Sequence, residues 1–298
     1  MSPSIKEFRC SCIGRYSPSV TARRCRRVQA GSVTVGRESG YPVSVVIRLL
    51  ASKLLVLHSV GSSQLQQQQM APVTIVVDGV LFDMDGTLID STPGLEAAWA
   101  TFCNDYHLGD SASMVHETHG RRLYDTLKEY CDINDESKLQ AEIDRFEEEV
   151  IKGGPVVLPG VLALLSQLSS ETAIGWTIVT SATRNYAPRA LERCGIALPR
   201  AGIVTSNDVT HGKPHPAPYL AGAAKCNADP TKCIVIEDAI SGIQSGKAAG
   251  SLVLAVCTST SREKIVDSGA VPDYIVPDLS RVSARWIDNR IELTIEEE

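Results

Sequence analysis

The sequence predicts an α/β fold: a parallel β-sheet with helices on both faces and a helical segment inserted after the first strand. Three observations predict it. Short apolar, β-rich runs recur at Val80–Asp83, Trp176–Thr180, Ile203–Thr205, Cys233–Ile236, Leu252–Val256 and Tyr274–Val276. Between most of them lie helical patterns, at Val161–Leu168, Ala187–Cys194, Pro218–Cys226 and Gly242–Ala249. Strands without polar alternation are buried on both faces, as in a parallel sheet layered between helices. The third observation is a spacing. Ninety residues separate Asp85 from Trp176, whereas a βαβ unit takes only about thirty with its strands.

Residues 1–69 stand apart from this pattern. The net charge of −6 conceals ten Lys/Arg against two acids in that stretch, a charge of +8, which leaves −14 for the remainder. So acidic a body argues against nucleic acid as its partner. The leader is Arg- and Ser-rich and ends in the run Gln64 to Gln69. Its most apolar part, Val43 to Leu57, carries Arg48 and Lys53, so it is too short and too charged to span a bilayer. No membrane partner is expected. It also lies too far from the N-terminus for a secretory signal, although an Arg-rich, acid-poor leader is how a mitochondrial transit peptide reads. Composition favours the plainer alternatives, a tail without a role or translation from Met70. The expected compartment is then the cytoplasm, with the mitochondrion as the alternative if residues 1–69 act as a transit peptide. Nine cysteines are an odd number without zinc or disulfide spacing. Most, like Cys233 before Ile234-Val235-Ile236, read as buried free thiols of a reducing compartment.

From Met70 the chain divides into a core, residues 70–92 and 158–298, and an insertion, residues 93–157. Asp78-Gly79 could turn a small hairpin, pairing Thr74–Val77 with Val80–Phe82. The insertion reads as helices over Gly94–His107, Arg121–Cys131 and Glu136–Lys152. Leu139, Ile143, Phe146 and Val150 form a helical stripe with acids on the opposite face. Ligands of open α/β sheets bind at the carboxyl ends of the strands. An insertion there becomes a lid over the site.

Polar chemistry sits at those ends: Asp83 and Asp85 after the first strand, Thr180 and Ser181 after the second, Lys213 in a later loop, and Glu237 and Asp238 after the fourth. Each alone has an ordinary explanation. Asp-x-Asp-Gly is often a turn; as a calcium loop it would need Gly at the sixth position, and Gly86 is at the fourth. Thr180-Ser181 or Glu237-Asp238 could cap the helix that follows. His211 and His215 have metal-like spacing, but Pro214 and Pro216 exclude a helix there. Taken together and in this order, the set suits phosphoryl transfer through an aspartyl-phosphate. A carboxylate attacks phosphorus, and Mg²⁺ with a lysine offsets the repulsion between two anions. Two carboxylates and a backbone carbonyl suffice to hold that ion. A second aspartate, two residues along, can protonate the leaving alkoxide and then activate water.

These residues resemble the haloacid dehalogenase (HAD) superfamily of phosphohydrolases. Its four motifs occur in order: "DMDGT" at Asp83, "TS" at Thr180, "GKP" at Gly212 and "ED" at Glu237. The likeness spans about Ile75 to Val276 and includes "IEDAISGIQSGKAAG". It implies a HAD-like Rossmannoid core with an inserted helical C1 cap. It implies Asp83 as nucleophile and Asp85 as general acid/base. It implies Mg²⁺ on Asp83, the Asp85 carbonyl and Asp238 with Glu237 nearby, and a phosphoryl group on Thr180, Ser181 and Lys213. Within the superfamily the chain is similar to the 2-deoxyglucose-6-phosphate and glycerol-3-phosphate phosphatase branch, through "THGRRLYDTL", "TSATRNYA" and "NDVTHGKPHPAPYL". That likeness makes His119, Arg122 and Arg184 candidate substrate contacts. The branch often has an aromatic residue where this chain has Arg121, and Gly where it has Ala182. The expected partner is a small phosphorylated metabolite; the sequence leaves the oligomeric state open. The implied activity is phosphatase, with a sugar phosphomutase as the alternative and a catalytically inactive binding protein behind it. Dehalogenases generally lack the second acid, so Asp85 and the Glu237-Asp238 pair count against that reaction.

Overall fold

The computed structural model describes residues 71–169 and 174–297. The expectations for residues 1–69 and for a start at Met70 fall outside the described residues.

The chain begins with β1 (Val73–Val77), β2 (Gly79–Phe82) and the short β3 (Ile89–Asp90). Four helices follow: α1 (Thr92–Tyr106), α2 (Ser111–Thr118), α3 (Leu123–Tyr130) and α4 (Glu136–Gly153). Strand β4 (Val156–Val157) pairs antiparallel with β3, so the helical segment leaves and rejoins the sheet through one two-stranded ribbon. Next come α5 (Val161–Leu168), β5 (Trp176–Val179), α6 (Ala187–Arg193), β6 (Ile203–Val204) and α7 (Ala217–Lys225). The chain continues through β7 (Cys233–Glu237), α8 (Ile240–Ala248), β8 (Leu252–Val256), α9 (Arg262–Asp267) and β9 (Tyr274–Val276). It closes with β10 (Val282–Ile287) and β11 (Arg290–Ile295).

Six strands form a parallel sheet in the order β6-β5-β2-β7-β8-β9. Residues of β2, β5, β7 and β8 alternate between its two faces. Val80, Phe82, Ile178, Ile236 and Leu254 join one core with α5, α6 and the helical segment. Leu81, Val179, Val235 and Val253 join a second with Tyr219 and Ala223 of α7 and Ile243 of α8. Burial on both faces is why these strands read as unbroken apolar runs.

The hairpin expected between Thr74–Val77 and Val80–Phe82 does not form. β1 pairs instead with β11, in a separate antiparallel sheet of order β1-β11-β10. Asp78 follows β1, and its backbone N–H donates to Lys232 O, while β2 turns to lie between β5 and β7. Two flanking partners give β2 a full hydrogen-bonding ladder on both edges, which a hairpin would deny it.

The helical segment has a fourth helix, α2, in addition to the three expected. Its centre is aromatic: Phe146 of α4 meets the edges of Trp99 and Phe102 of α1, each at 5.1 Å between ring centroids. The stripe Leu139, Ile143, Phe146 and Val150 is buried, as the periodicity requires. Among the described residues, no helix is long and apolar enough to cross a membrane.

Candidate active site

Adjacent strands of the sheet bring the polar residues to one edge. Asp83 follows the last residue of β2, Thr180 follows β5, and Glu237 ends β7. Lys213, from the loop before α7, is buried among them. Its Nζ donates to Asp83 Oδ1 at 2.5 Å, to Glu237 Oε1 at 2.7 Å and to Val179 O at 3.2 Å. Burial opposes the ammonium charge, but Asp83 and Glu237 more than compensate and raise its pKa. Asp83 itself is held well above the usual carboxylate range, by burial first, against the pull of Lys213 and with the repulsion of Glu237 and Asp238 added.

Glu237 accepts four hydrogen bonds. Its Oε1 takes Lys213 Nζ and the Tyr219 hydroxyl, at 2.9 Å, and its Oε2 takes the backbone N–H groups of Asp238 and Ala239, both at 2.9 Å. The carboxylate fits only because residue 242 is glycine: a Cβ there would lie 1.6 Å from Glu237 Oε1. Asp238 is fully buried, and its Oδ1 accepts from Thr87 Oγ1 at 3.0 Å. Its Oδ2 lies 2.7 Å from His119 Nε2 and accepts from Ser259 Oγ. Burial works against a charge on His119, but the hydrogen bond and charge of Asp238, backed by Glu237 and Asp83, carry its pKa up to about 9. Gly86 turns the chain between Asp85 and Thr87 with φ +90°, and a Cβ there would lie 2.1 Å from Asp238 Oδ2.

Asp83, Glu237 and Asp238 each offer a carboxylate oxygen within 4.8 Å of the others. Lys213 supplies one positive charge to three carboxylates, and the His119 imidazole already turns toward Asp238. An oxygen-donor cluster that draws further positive charge is the kind that accommodates a hard divalent cation.

A cavity of about 110 Å³ opens above Asp83 and Asp85. Thr180 and Ser181 line its floor, and Leu95, Trp99, Phe146, His119, Arg121 and Glu147 of the helical segment line its roof. Ser181 Oγ donates to Gly120 O at 2.9 Å, linking sheet edge and helical segment.

Thus Asp83, Asp85, Thr180, Ser181, Lys213, Glu237, Asp238 and His119 converge. Two expected residues do not. Arg122 does not line this cavity; its half-buried guanidinium donates twice to Asp125 at 2.8 Å and once to Val209 O at 3.2 Å. Arg184 pairs with Asp208 on the exposed surface, 2.8 Å away, and is likewise absent from the cavity wall. The preceding arginine, Arg121, lines the wall instead, with its guanidinium donating to Glu129 Oε2 at 2.5 Å. The Asp85 carboxylate lies apart from the acidic cluster, and its Oδ1 accepts from the Tyr186 hydroxyl at 3.0 Å. Burial raises the Asp85 pKa, the Ser91 and Tyr186 hydroxyls lower it, and Asp238 adds to the rise. Tyr186, Tyr219, Glu147 and Ser259 were not anticipated. Tyr186 and Tyr219 lie inside the quoted stretches "TSATRNYA" and "NDVTHGKPHPAPYL", but nothing in those stretches shows which side chains turn toward the site.

An acidic cluster with a buried lysine, at the carboxyl edge of a parallel sheet and under a helical roof, defines a hydrolase built to handle an anionic ester. Comparison with known proteins gives the family. The Haloacid dehalogenase-like hydrolase family model matches residues 80–256. Glycerol-1-phosphate phosphohydrolase 2 of Saccharomyces cerevisiae is 35% identical over 217 residues, 69% of this chain and 84% of the relative. The 2-deoxyglucose-6-phosphate phosphatase 2 of the same organism is 29% identical over 225 residues, 70% of this chain and 90% of the relative. A hydrolase from Pseudomonas syringae superposes with a TM-score of 0.59 at 23% identity, over 67% of this chain and 93% of that one, and shares the fold. The chain belongs to the haloacid dehalogenase-like hydrolase family and is a phosphoric monoester hydrolase of it.

Proposed function

We propose that the enzyme is a Mg²⁺-dependent phosphatase of small polyol or sugar phosphates, of the glycerol phosphate or 2-deoxyglucose 6-phosphate type. The observation that carries this reading is the placement of Asp83: a buried carboxylate at the cavity floor, held by an ammonium group that is itself fixed by Glu237. In this reading an oxygen of Asp83 attacks phosphorus, forming an aspartyl-phosphate as the ester P–O bond breaks. Asp85 gives a proton to the departing alkoxide and then takes one from the water that hydrolyses the aspartyl-phosphate. Lys213 and the Thr180 and Ser181 groups hold the phosphoryl oxygens. Asp83, Asp238 and the Asp85 backbone carbonyl would hold Mg²⁺, with Glu237 beside it, and the ion would supply charge neutralisation for the meeting of two anions.

Residues 93–157 act in this proposal as a cap and residues 70–92 and 158–298 as the core. The apolar walls Leu95, Trp99 and Phe146 suit a short carbon skeleton, and Arg121, His119 and Glu147 suit its hydroxyl groups. The names of the two yeast relatives support the same substrate class. Six free cysteines among the described residues favour a reducing compartment, and we place the enzyme in the cytoplasm.

The test is phosphate release from a panel of phosphate esters, with Mg²⁺ and with EDTA. Polyol or sugar phosphates should lead the panel, EDTA should stop turnover, and Asp83→Asn should abolish it without unfolding the protein. Turnover that survives either EDTA or Asp83→Asn contradicts the mechanism.

A further inference from the structure

Tyr186 lies immediately before α6, is 3% exposed, and donates its hydroxyl to Asp85 Oδ1 at 3.0 Å. The segment carrying it is tied to the helical roof. The backbone N–H groups of Asn185 and Tyr186 both donate to Thr183 Oγ1, at 3.3 Å. Thr183 Oγ1 in turn donates to Glu147 Oε2 of α4, and Thr183 N donates to Glu147 Oε1 at 2.9 Å. Glu147 and Thr183 are both buried. A continuous path therefore runs from α4 through Glu147, Thr183 and Tyr186 to one oxygen of Asp85.

We propose that Tyr186 is a positioning residue for Asp85, and that the Glu147–Thr183 contact makes this positioning depend on the seating of the helical segment. The inference rests on the reading of Asp85 as general acid. A carboxylate with neither oxygen tied can rotate about its side-chain bonds. With Oδ1 held by the tyrosine, the carboxyl group keeps one orientation in which to carry the proton, which passes to the ester oxygen as the P–O bond breaks and the bond from Asp83 to phosphorus forms. A well-placed general acid contributes on the order of 10²–10⁴ in rate, and part of that is lost when its orientation is lost. A tyrosine serving only the core would contribute to stability but would not distinguish one leaving group from another.

Leaving-group basicity separates the two. Glycerol 1-phosphate releases a basic alkoxide that needs a proton, whereas p-nitrophenyl phosphate releases a weakly basic phenolate that does not. The measurement is kcat/KM with Mg²⁺ for both esters, because kcat/KM covers the steps through departure of the leaving group and omits hydrolysis of the aspartyl-phosphate. Tyr186→Phe should lower the glycerol 1-phosphate value about tenfold more than the p-nitrophenyl phosphate value. Thr183→Val should move the ratio in the same direction, and Thr183→Ser, which keeps the hydroxyl, should restore it. The aryl ester activity also reports that each variant is folded. Equal losses on both esters, or an unmoved ratio, for Tyr186→Phe would overturn the proposal. A ratio that moves for Tyr186→Phe but not for Thr183→Val would overturn the link to the helical segment. Asp85→Asn, run alongside, separates the failures: if it also leaves the ratio unmoved, the general-acid reading is wrong and the positioning role falls with it.

Discussion

Replacing Lys213 with methionine is the most demanding test of how this site is held together. The side chain is 4% exposed and its ammonium joins Asp83, 6% exposed, to Glu237, which has no exposed surface. Methionine fills similar space but leaves two carboxylates buried without their cation. Breaking one side of a buried ion pair costs about 3–5 kcal/mol. At roughly 2–4 °C per kcal/mol for a domain of this size, Tm should fall by about 6–20 °C. The loss should also depend on pH in one direction. With the ammonium gone, the Asp83 carboxyl loses the lysine that pulls its pKa down and moves above the already raised position it has in the parent. The folded variant then holds a proton over a pH range in which the folded parent has released it, so its deficit widens as pH rises through that range and narrows on acidification. Thermal unfolding followed by circular dichroism, in EDTA at pH 5 and pH 8, measures both effects. A Tm within about 2 °C of the parent at pH 8, or a deficit larger at pH 5, would show that the lysine is not what makes these carboxylates tolerable.

Other expectations concern the roof and helix α8 behind the site. Gly242→Ala drives a methyl group into Glu237 and should cost about 1–3 kcal/mol from overpacking, with at least a tenfold loss of kcat as Lys213 shifts; urea unfolding and steady-state kinetics measure both. Glu147 is pushed from 4.5 up to about 7, by burial first, with Asp85 adding to the rise against the Thr183 hydrogen bonds. The folded state therefore favours its neutral form, and the parent should lose up to about 3 kcal/mol relative to Glu147→Gln as pH rises from about 4.5 to 8. Parallel stability curves for the two proteins would refute the assignment. Arg121→Ala should raise KM for a polyol phosphate severalfold more than for p-nitrophenyl phosphate, because Arg121 lines the cavity. Arg122→Ala, which removes the bonds to Asp125 and Val209, should change both substrates alike.

What could be read in advance follows from how local each signal was. The six parallel strands were legible because burial on both faces writes a contiguous apolar run into the chain. The motif residues were legible because consecutive strand ends supply them. The β1–β11–β10 sheet was not, although Val282–Ile287 and Arg290–Ile295 alternate and flank Asp288-Asn289, whose φ values of 46° and 62° make the two-residue turn of a hairpin. Neither strand alone shows that β1 will join them. Side-chain direction was also invisible. Arg121 and Arg122 are neighbours in sequence, yet one lines the cavity and the other ties the helical segment to the loop at Val209. The bond from Tyr186 to Asp85 spans 101 positions, and no spacing rule reaches that far.

The small antiparallel sheet has a consequence for how the chain is made. Val73 pairs with Ile295, so one of the first described residues waits for one of the last. As the polypeptide emerges from the ribosome, β2 can find β5 and β7 while synthesis continues, but β1 has no partner until β11 has been translated. Until then the nascent protein carries a strand with an open edge, and closing that edge waits on the synthesis of β11.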